Sequence, residues 1–354
     1  MLDRFRANIL SVQFKTIRRF VITLIAKIPK DLERAILFGD ALNHFIMITP
    51  FKYLFKFKIP QNLETKLYDL SFPSPIIAAS FKDDISSLVQ WQLVGLGGMT
   101  YKTVLKEPSK GNQRPRIQEI KYNNGYGLIN SLGLPTKGVK KFVKTFQSKK
   151  LLSFNRPIGI SIGGNSAEEY FEVFHKINSK VKKSSYEQFF YELNISCPNT
   201  HDGKCLSEDI EALTVLMKKI RKSCTNVIVV KVSPDSSHEN LFKVCELIIQ
   251  LDRCAINLGN TKYITATSVG LNKKTFSKEG GGLSGQGLFE KTLDNVDLVS
   301  SKFKIPIIAT GGISSYEDVK KVLSQGATIV GMASQLVIDP FQIPLINRRL
   351  SDEK

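Results

Sequence analysis

The 354-residue chain has no apolar run that approaches the roughly 20 residues a membrane-crossing helix needs. The longest near the start, Phe20 to Ala26, is interrupted by Thr23. This excludes a multi-span membrane protein. Cysteine is sparse: Cys197, Cys205, Cys224, Cys245 and Cys254 form no CxxC pair and no metal-ligand spacing. An odd number of cysteines in a long chain argues against a disulfide framework and for a reducing, cytosolic setting. The N-terminus lacks a long apolar segment followed by a small-residue cleavage site, so no secretory signal is expected. Histidine is scarce as well. His44, His175, His201 and His238 do not fall at strand ends, which argues against a His-metal hydrolase or a Ser-His-Asp site. No GxGxxG follows an early strand, which weakens a Rossmann reading. No internal repeat or low-complexity tract occurs.

What is present is a globular composition, 42% hydrophobic and 23% charged, which excludes a disordered chain. Acids are outnumbered, 32 against 50 bases, for a net charge of +18. A basic surface can serve RNA, an anionic membrane or a phosphorylated ligand, or be solvated lysine alone. Its distribution is uneven. Residues 1–60 hold eleven Lys/Arg and four Asp/Glu, a net +7, which leaves +11 for the other 294 residues.

Those first sixty residues read as helical. Leu10, Phe14, Ile17, Val21, Leu24 and Ile28 recur at alternating spacings of four and three, so they line one helical stripe with Arg18, Arg19 and Lys27 off it. Pro29 ends that helix. A second begins near Asp31, with Leu32, Ala35, Ile36, Leu42, Phe45 and Ile46 as its apolar positions. Aromatics and lysines then interleave over 50–58. Such a pair of helices suits a membrane interface, and equally a cap packed on the main domain.

After Pro60 short apolar runs alternate with amphipathic stretches. The runs are 75–79, 97–102, 157–162, 191–195, 227–232, 254–258, 306–310 and 328–332. Eight β-α alternations predict a parallel (β/α)8 TIM barrel, an α/β fold carrying a small N-terminal helical extension. A doubly wound open sheet is the alternative. The domains expected are an extension over 1–60, a barrel over 61–345 and a tail over 346–354. Two long stretches, 103–135 and 259–287, interrupt the alternation. Both follow strands, so both belong at the C-terminal rim, where long excursions serve as lids.

Polar residues at strand ends are then the candidates for chemistry. The fourth run ends in Asn194-Ile-Ser-Cys-Pro-Asn-Thr200, a thiol between two asparagines. A partly ionised thiol can act as base or nucleophile, and an asparagine offers a donor and an acceptor in one plane. Cys224, Cys245 and Cys254 read instead as buried small hydrophobes. Asn130 and Asn257 add further rim asparagines, which together imply a flat, polar, uncharged ring as ligand. Thr310-Gly-Gly-Ile-Ser-Ser315 and Gly331-Met-Ala-Ser334 end the seventh and eighth runs, where barrels bind phosphate through exposed backbone N–H groups. Gly280-Gly-Gly-Leu-Ser-Gly285 is a third glycine loop. Lys102 and Lys231 stand in apolar strands, a costly placement unless an anion or electron-rich ring pairs with them.

At these residues the sequence resembles the dihydroorotate dehydrogenase family of FMN-dependent barrels, from about Tyr68 to Leu336. Asn194-Ile-Ser-Cys-Pro-Asn199 is similar to its active-site motif, and Leu128-Ile-Asn-Ser-Leu-Gly-Leu-Pro135 to its substrate-loop motif. Gly-Asn-Gln-Arg-Pro-Arg116, Gly282-Leu-Ser-Gly285 and Thr310-Gly-Gly-Ile-Ser-Ser315 also match, in the family's order. The resemblance implies that dihydroorotate is oxidised to orotate in pyrimidine biosynthesis, with Cys197 removing the C5 proton and the C6 hydride passing to FMN. It implies that Lys102, Asn130, Asn194, Asn199 and Asn257 hold the substrate ring, and that Leu132, Gly133 and Leu134 hold its carboxylate. It further implies that Ala79, Ser80, Lys102, Ser161, Lys231, Ser284, Gly285, Gly311, Gly312, Ala333 and Ser334 bind FMN. A cysteine base resembles the soluble class 1 enzymes, whereas residues 1–60 resemble the class 2 extension that docks on a membrane and admits a quinone. The expected acceptor is therefore a membrane quinone, at the cytoplasmic side of a membrane, with fumarate or NAD+ and a soluble cytoplasmic protein as the alternative. A tRNA-dihydrouridine synthase is the rival that uses the charge for RNA, but that family has glycine where Ser196 precedes the cysteine. No nucleic-acid partner and no metal are expected.

Overall fold

The computed structural model describes residues 2–26, 31–122, 125–196 and 206–353. Eight parallel strands close into a barrel. In chain order they are β1 (Ile76–Ala78), β2 (Gly98–Val104), β3 (Ile158–Ile162), β4 (Phe189–Asn194), β5 (Ile228–Val232), β6 (Cys254–Leu258), β7 (Ile307–Thr310) and β8 (Ile329–Met332). All eight apolar runs of the sequence are among them. Most are rich in β-branched residues, and β4 in aromatic ones, which suit a pleat buried on both faces.

The alternation along each strand builds two interior layers. Ile77, Phe190, Val229, Ala255, Ile308 and Ile329 point inward and form one apolar cluster. Their alternates, such as Ile76, Leu193, Val230 and Ile256, pack outward against the helices. Two residues further on, toward the C-terminal rim, the inward positions become Ala79, Glu192, Lys231, Asn257, Thr310 and Gly331, all buried. The period of two thus carries the interior from a dry floor to a polar layer at the mouth. A hairpin, Thr65–Leu67 with Leu70–Phe72, closes the opposite end. Its Leu67, Leu70 and Phe72 belong to the floor cluster, with the Phe72 and Phe190 rings 6.4 Å apart.

The helices between strands start at side-chain caps. Ser166, Asp209 and Ser237 each accept from the backbone N–H three residues on, and Ser315 with Asp318 forms a capping box. The last helix, Gln342–Asp352, runs across residue 345, where the sequence places a boundary.

The two long rim stretches are not open loops. Lys262–Thr265, Gly280–Gly285, Gly125–Asn130 and Ile117–Tyr122 form a four-stranded antiparallel sheet in that order. The glycine run expected as a loop is one of its inner strands, with Gly282 paired to Asn130 on one side and Tyr263 on the other. Side chains there have no room: a Cβ on Gly281 would lie 2.5 Å from the Asn130 carbonyl oxygen.

The N-terminal extension is helical as expected: α1 (Leu2–Ile25) and α2 (Leu32–Ile48). Its covered face matches the sequence stripe in part: Leu10, Phe14 and Val21 pack on core clusters. Ala7, Ser11 and Phe14 face the body, where Ser11 Oγ donates to Asp339 (2.5 Å) and the Phe14 ring meets Phe341 edge-on. Arg18, placed off the stripe, donates to the Val337 carbonyl and pairs with Glu119. Ile17 and Leu24, placed on it, are exposed, as are Leu42 and Phe45 of α2. Ile28 and Pro29 lie outside the described residues. Among the described residues no helix is long and apolar enough to cross a membrane.

Candidate active site

The polar layer at the barrel mouth holds a chain of hydrogen bonds. Lys231 Nζ donates to Ser80 Oγ (3.2 Å), and Ser80 Oγ donates to Glu192 Oε1 (2.5 Å). Glu192 Oε2 accepts from Asn257 Nδ2 (2.9 Å). Register aligns these groups: Lys231 of β5 is paired with Asn194 of β4 and Asn257 of β6. Lysine and glutamate are both buried, so each offsets the other's desolvation.

Asn194 is held differently. Its Nδ2 donates to Thr103 Oγ1 (3.0 Å), which also meets Ser161 Oγ (3.0 Å), and its Oδ1 accepts from Ser196 Oγ (3.1 Å). Asn260 donates to Ser196 Oγ (2.6 Å). The amide that the sequence offers to a ligand is thus engaged with neighbouring side chains.

The Asn130 loop closes one side of the mouth. Asn130 Nδ2 donates to the Gly282 carbonyl (3.2 Å). Beyond it Gly133 and Leu134 both have left-handed backbones, φ 67° and 46°. For leucine that conformation costs about 1–3 kcal/mol and persists only where the surroundings enforce it. Here Asn112 does so: its N–H donates to Leu132 O (3.0 Å) and its Nδ2 to Ser131 O (2.8 Å).

Lys102 sits at the end of β2 and makes no ion pair among the described residues. Burial pushes its ammonium below the ordinary lysine range, against the opposing pull of Asp83. Gly285, Gly311 and Gly312 have φ of 106°, 133° and 71°, conformations that favour glycine. Ser284 Oγ donates to Leu128 O (3.3 Å), and Ala333 precedes the short helix Ser334–Ile338. Cys197 and Asn199 lie outside the described residues, directly after Ser196. Cys224, Cys245 and Cys254 are buried thiols, pushed up by burial, Cys245 to about 12. They are poor nucleophiles.

The structure therefore gathers Ala79, Ser80, Ser161, Asn194, Lys231, Asn257, the Thr310 loop and the Asn130 loop at one mouth. The sequence reading missed Glu192, Thr103 and Asn260. Glu192 carried a readable signal, a charge inside Tyr191-Glu-Leu-Asn-Ile195.

A family model described as dihydroorotate dehydrogenase matches residues 62–353. The chain belongs to the dihydroorotate dehydrogenase family. It is 29% identical over 293 residues to a dihydroorotate dehydrogenase B (NAD(+)) catalytic subunit of Bacillus pumilus, covering 81% of this chain and 90% of that one. It is 30% identical over 284 residues to a putative dihydroorotate dehydrogenase A (fumarate) of Solibacter usitatus, covering 78% and 88%. The fold is shared with a dihydroorotate dehydrogenase of Eimeria tenella solved in complex with ferulenol, with TM-score 0.68, 18% identity and 89% of each chain covered. The two curated names carry NAD+ and fumarate, not the quinone expected from the N-terminal helices.

Dihydroorotate dehydrogenases are FMN-dependent, and this mouth fits that group. Thr310 Oγ1 is buried with no partner among the described residues, which is costly unless a ligand meets it. The Gly311-Gly312 turn leaves backbone where a side chain would collide: a Cβ on Gly312 would lie 2.3 Å from the Phe289 nitrogen. The buried Lys231 and half-buried Lys102, beside neutral amides and hydroxyls, suit a ligand with an anionic phosphate and a ring of N–H and C=O groups.

Proposed function

We propose that this dihydroorotate dehydrogenase oxidises dihydroorotate to orotate in pyrimidine biosynthesis, with FMN held at the barrel mouth. The observation that carries this reading is the buried Lys231–Ser80–Glu192–Asn257 chain, whose last amide oxygen has no partner among the described residues. Lys231, Ser80, Ala79, Ser161, Ser284, Gly285, Gly311, Gly312, Ala333 and Ser334 hold the cofactor, and Lys102 stands between it and the substrate. Bound FMN supplies the two-electron acceptor for the hydride from C6.

The chain's own residues do the rest. Cys197 takes the C5 proton. Asn130, Asn194, Asn199 and Asn257 orient the ring so that C5–H and C6–H meet base and acceptor together. Backbone N–H groups around Leu132, Gly133 and Leu134 receive the carboxylate. Rim glycines and the antiparallel sheet shield the reacting atoms from water. Purified protein is expected to be yellow, to lose that colour with dihydroorotate under anaerobic conditions and to release orotate. A colourless protein, or a flavin indifferent to dihydroorotate, contradicts the reading.

For reoxidation the curated relatives' names favour NAD+ or fumarate. A second reading, a membrane quinone, rests on one observation. Among the described residues, fifteen of the twenty exposed large hydrophobic ones fall within residues 2–54, so the extension has an apolar outer face. Stopped-flow reoxidation of the reduced enzyme by NAD+, fumarate and a short-chain quinone in turn distinguishes the two. Fast turnover with quinone alone supports the second reading, and with NAD+ or fumarate the first.

A further inference from the structure

Glu192 is a carboxylate in the barrel interior, 1% exposed, with no part in the reaction as proposed. The polarity of its hydrogen bonds can be assigned without ambiguity. An ammonium only donates, so Ser80 Oγ accepts from Lys231 Nζ (3.2 Å) and turns its own proton to Glu192 Oε1 (2.5 Å). A carboxylate only accepts, so the group that faces Oε2 at 2.9 Å is the Asn257 NH2 and not its carbonyl. The lysine at one end thus fixes every donor and acceptor as far as Asn257. Its Oδ1 is what remains, buried and without a partner among the described residues.

We propose that Glu192 is a positioning residue that holds Asn257 as a hydrogen-bond acceptor for a ring N–H of the bound pyrimidine. The inference rests on the dihydroorotate reading and deepens it. Dihydroorotate and orotate carry N–H at both ring nitrogens, so a carbonyl at this place recognises them. An amide turned end for end would present NH2 to NH and repel the ring. The carboxylate forbids that turn, whereas a neutral amide at 192 permits it.

The test is orotate binding to the FMN-loaded enzyme, read from the flavin absorbance change, for wild type, E192Q, N257A and the double variant. In the FMN-loaded fraction, E192Q is expected to weaken orotate about tenfold, the scale of one buried hydrogen bond. The double variant is expected to bind no more weakly than N257A alone, because Glu192 acts through Asn257. Equal, additive losses in both backgrounds overturn the proposal, since Glu192 would then act through the barrel and not through the amide. Should E192Q fail to fold, wild type decides. At least one of the two mono-N-methyl orotates must bind about tenfold more weakly than orotate, and binding of both as tightly as orotate overturns it. A wild-type holoenzyme that binds no orotate at all overturns the dihydroorotate reading itself, which separates the two failures.

Discussion

Buried charge decides where chemistry sits at the scale of single residues. Lys231 and Glu192 are isolated charges in strands of otherwise apolar or neutral character, and desolvation allows them there only as a mutually satisfied set. Cys197 differs from the three buried thiols in its sequence setting between Asn194 and Asn199. If it is the base, Cys197→Ser slows flavin reduction by dihydroorotate about 100-fold or more, and reoxidation keeps its rate. Stopped-flow absorbance measures both halves separately, and equal slowing of both would mean that the thiol serves the fold. The criterion that makes Lys231 legible from sequence, a charge in an apolar run, identifies Glu192 equally well. Thr103 and Asn260 carry no such mark. Their partner Asn194 reaches them only when β2 and β4 come together and the segment after β6 folds back over the mouth.

At the scale of elements, α2 is fastened to the Asn130 loop. Its N-cap Asp31 and first-turn Glu33 make the attachment. Glu33 receives Arg116 through two bonds (2.7 and 2.9 Å), and Arg114 reaches Asp31 at 2.7 Å. Arg116 is buried, and its Nη1 also donates to the carbonyls of Lys110 and Asn112, beside the Leu132–Leu134 turn. Desolvation pushes the Glu33 carboxyl up, but the Arg116 bonds and charge, with Arg114 and Lys102, outweigh it and leave it below the ordinary value of 4.5. A carboxyl depressed in the folded state adds stability above its unfolded value and loses it as pH falls through the folded one. Glu33→Gln should therefore cost about 1–3 kcal/mol near neutral pH and progressively less below 4.5, as denaturant melts at several pH values would show. It should also raise KM for dihydroorotate more than it lowers kcat, because the loop is loosened and the reacting groups are not. A pH-independent difference contradicts the ion-pair account.

The eight strands are legible because each is a short, mostly apolar run between helical stretches. The rim sheet is not, because it joins segments near 128 and 283 whose pairing no local pattern encodes. The stripe on α1 shows a related limit. Periodicity says which residues share a side, not which side is covered. Ser11 and Arg18 win the inner face because Asp339 and Glu119 wait there.

For the whole molecule, the +18 that first suggests nucleic acid has a more specific distribution. The denser part lies on helices whose outward residues are apolar. A single exposed substitution there, Phe20→Glu, should change stability by less than about 0.5 kcal/mol. It should abolish reduction of a long-chain quinone in vesicles only if that face admits the acceptor. Unchanged quinone turnover, or none in wild type, leaves the face without a part in electron transfer. NAD+ and fumarate rates should be indifferent to it in either case.

The most direct measurement is an anaerobic titration of the purified full-length protein with dihydroorotate, followed in the visible spectrum with orotate quantified at the end. The account predicts a flavin spectrum that bleaches in proportion to added dihydroorotate, with one orotate formed per flavin reduced. A protein without flavin, or a flavin spectrum that dihydroorotate leaves untouched, contradicts it.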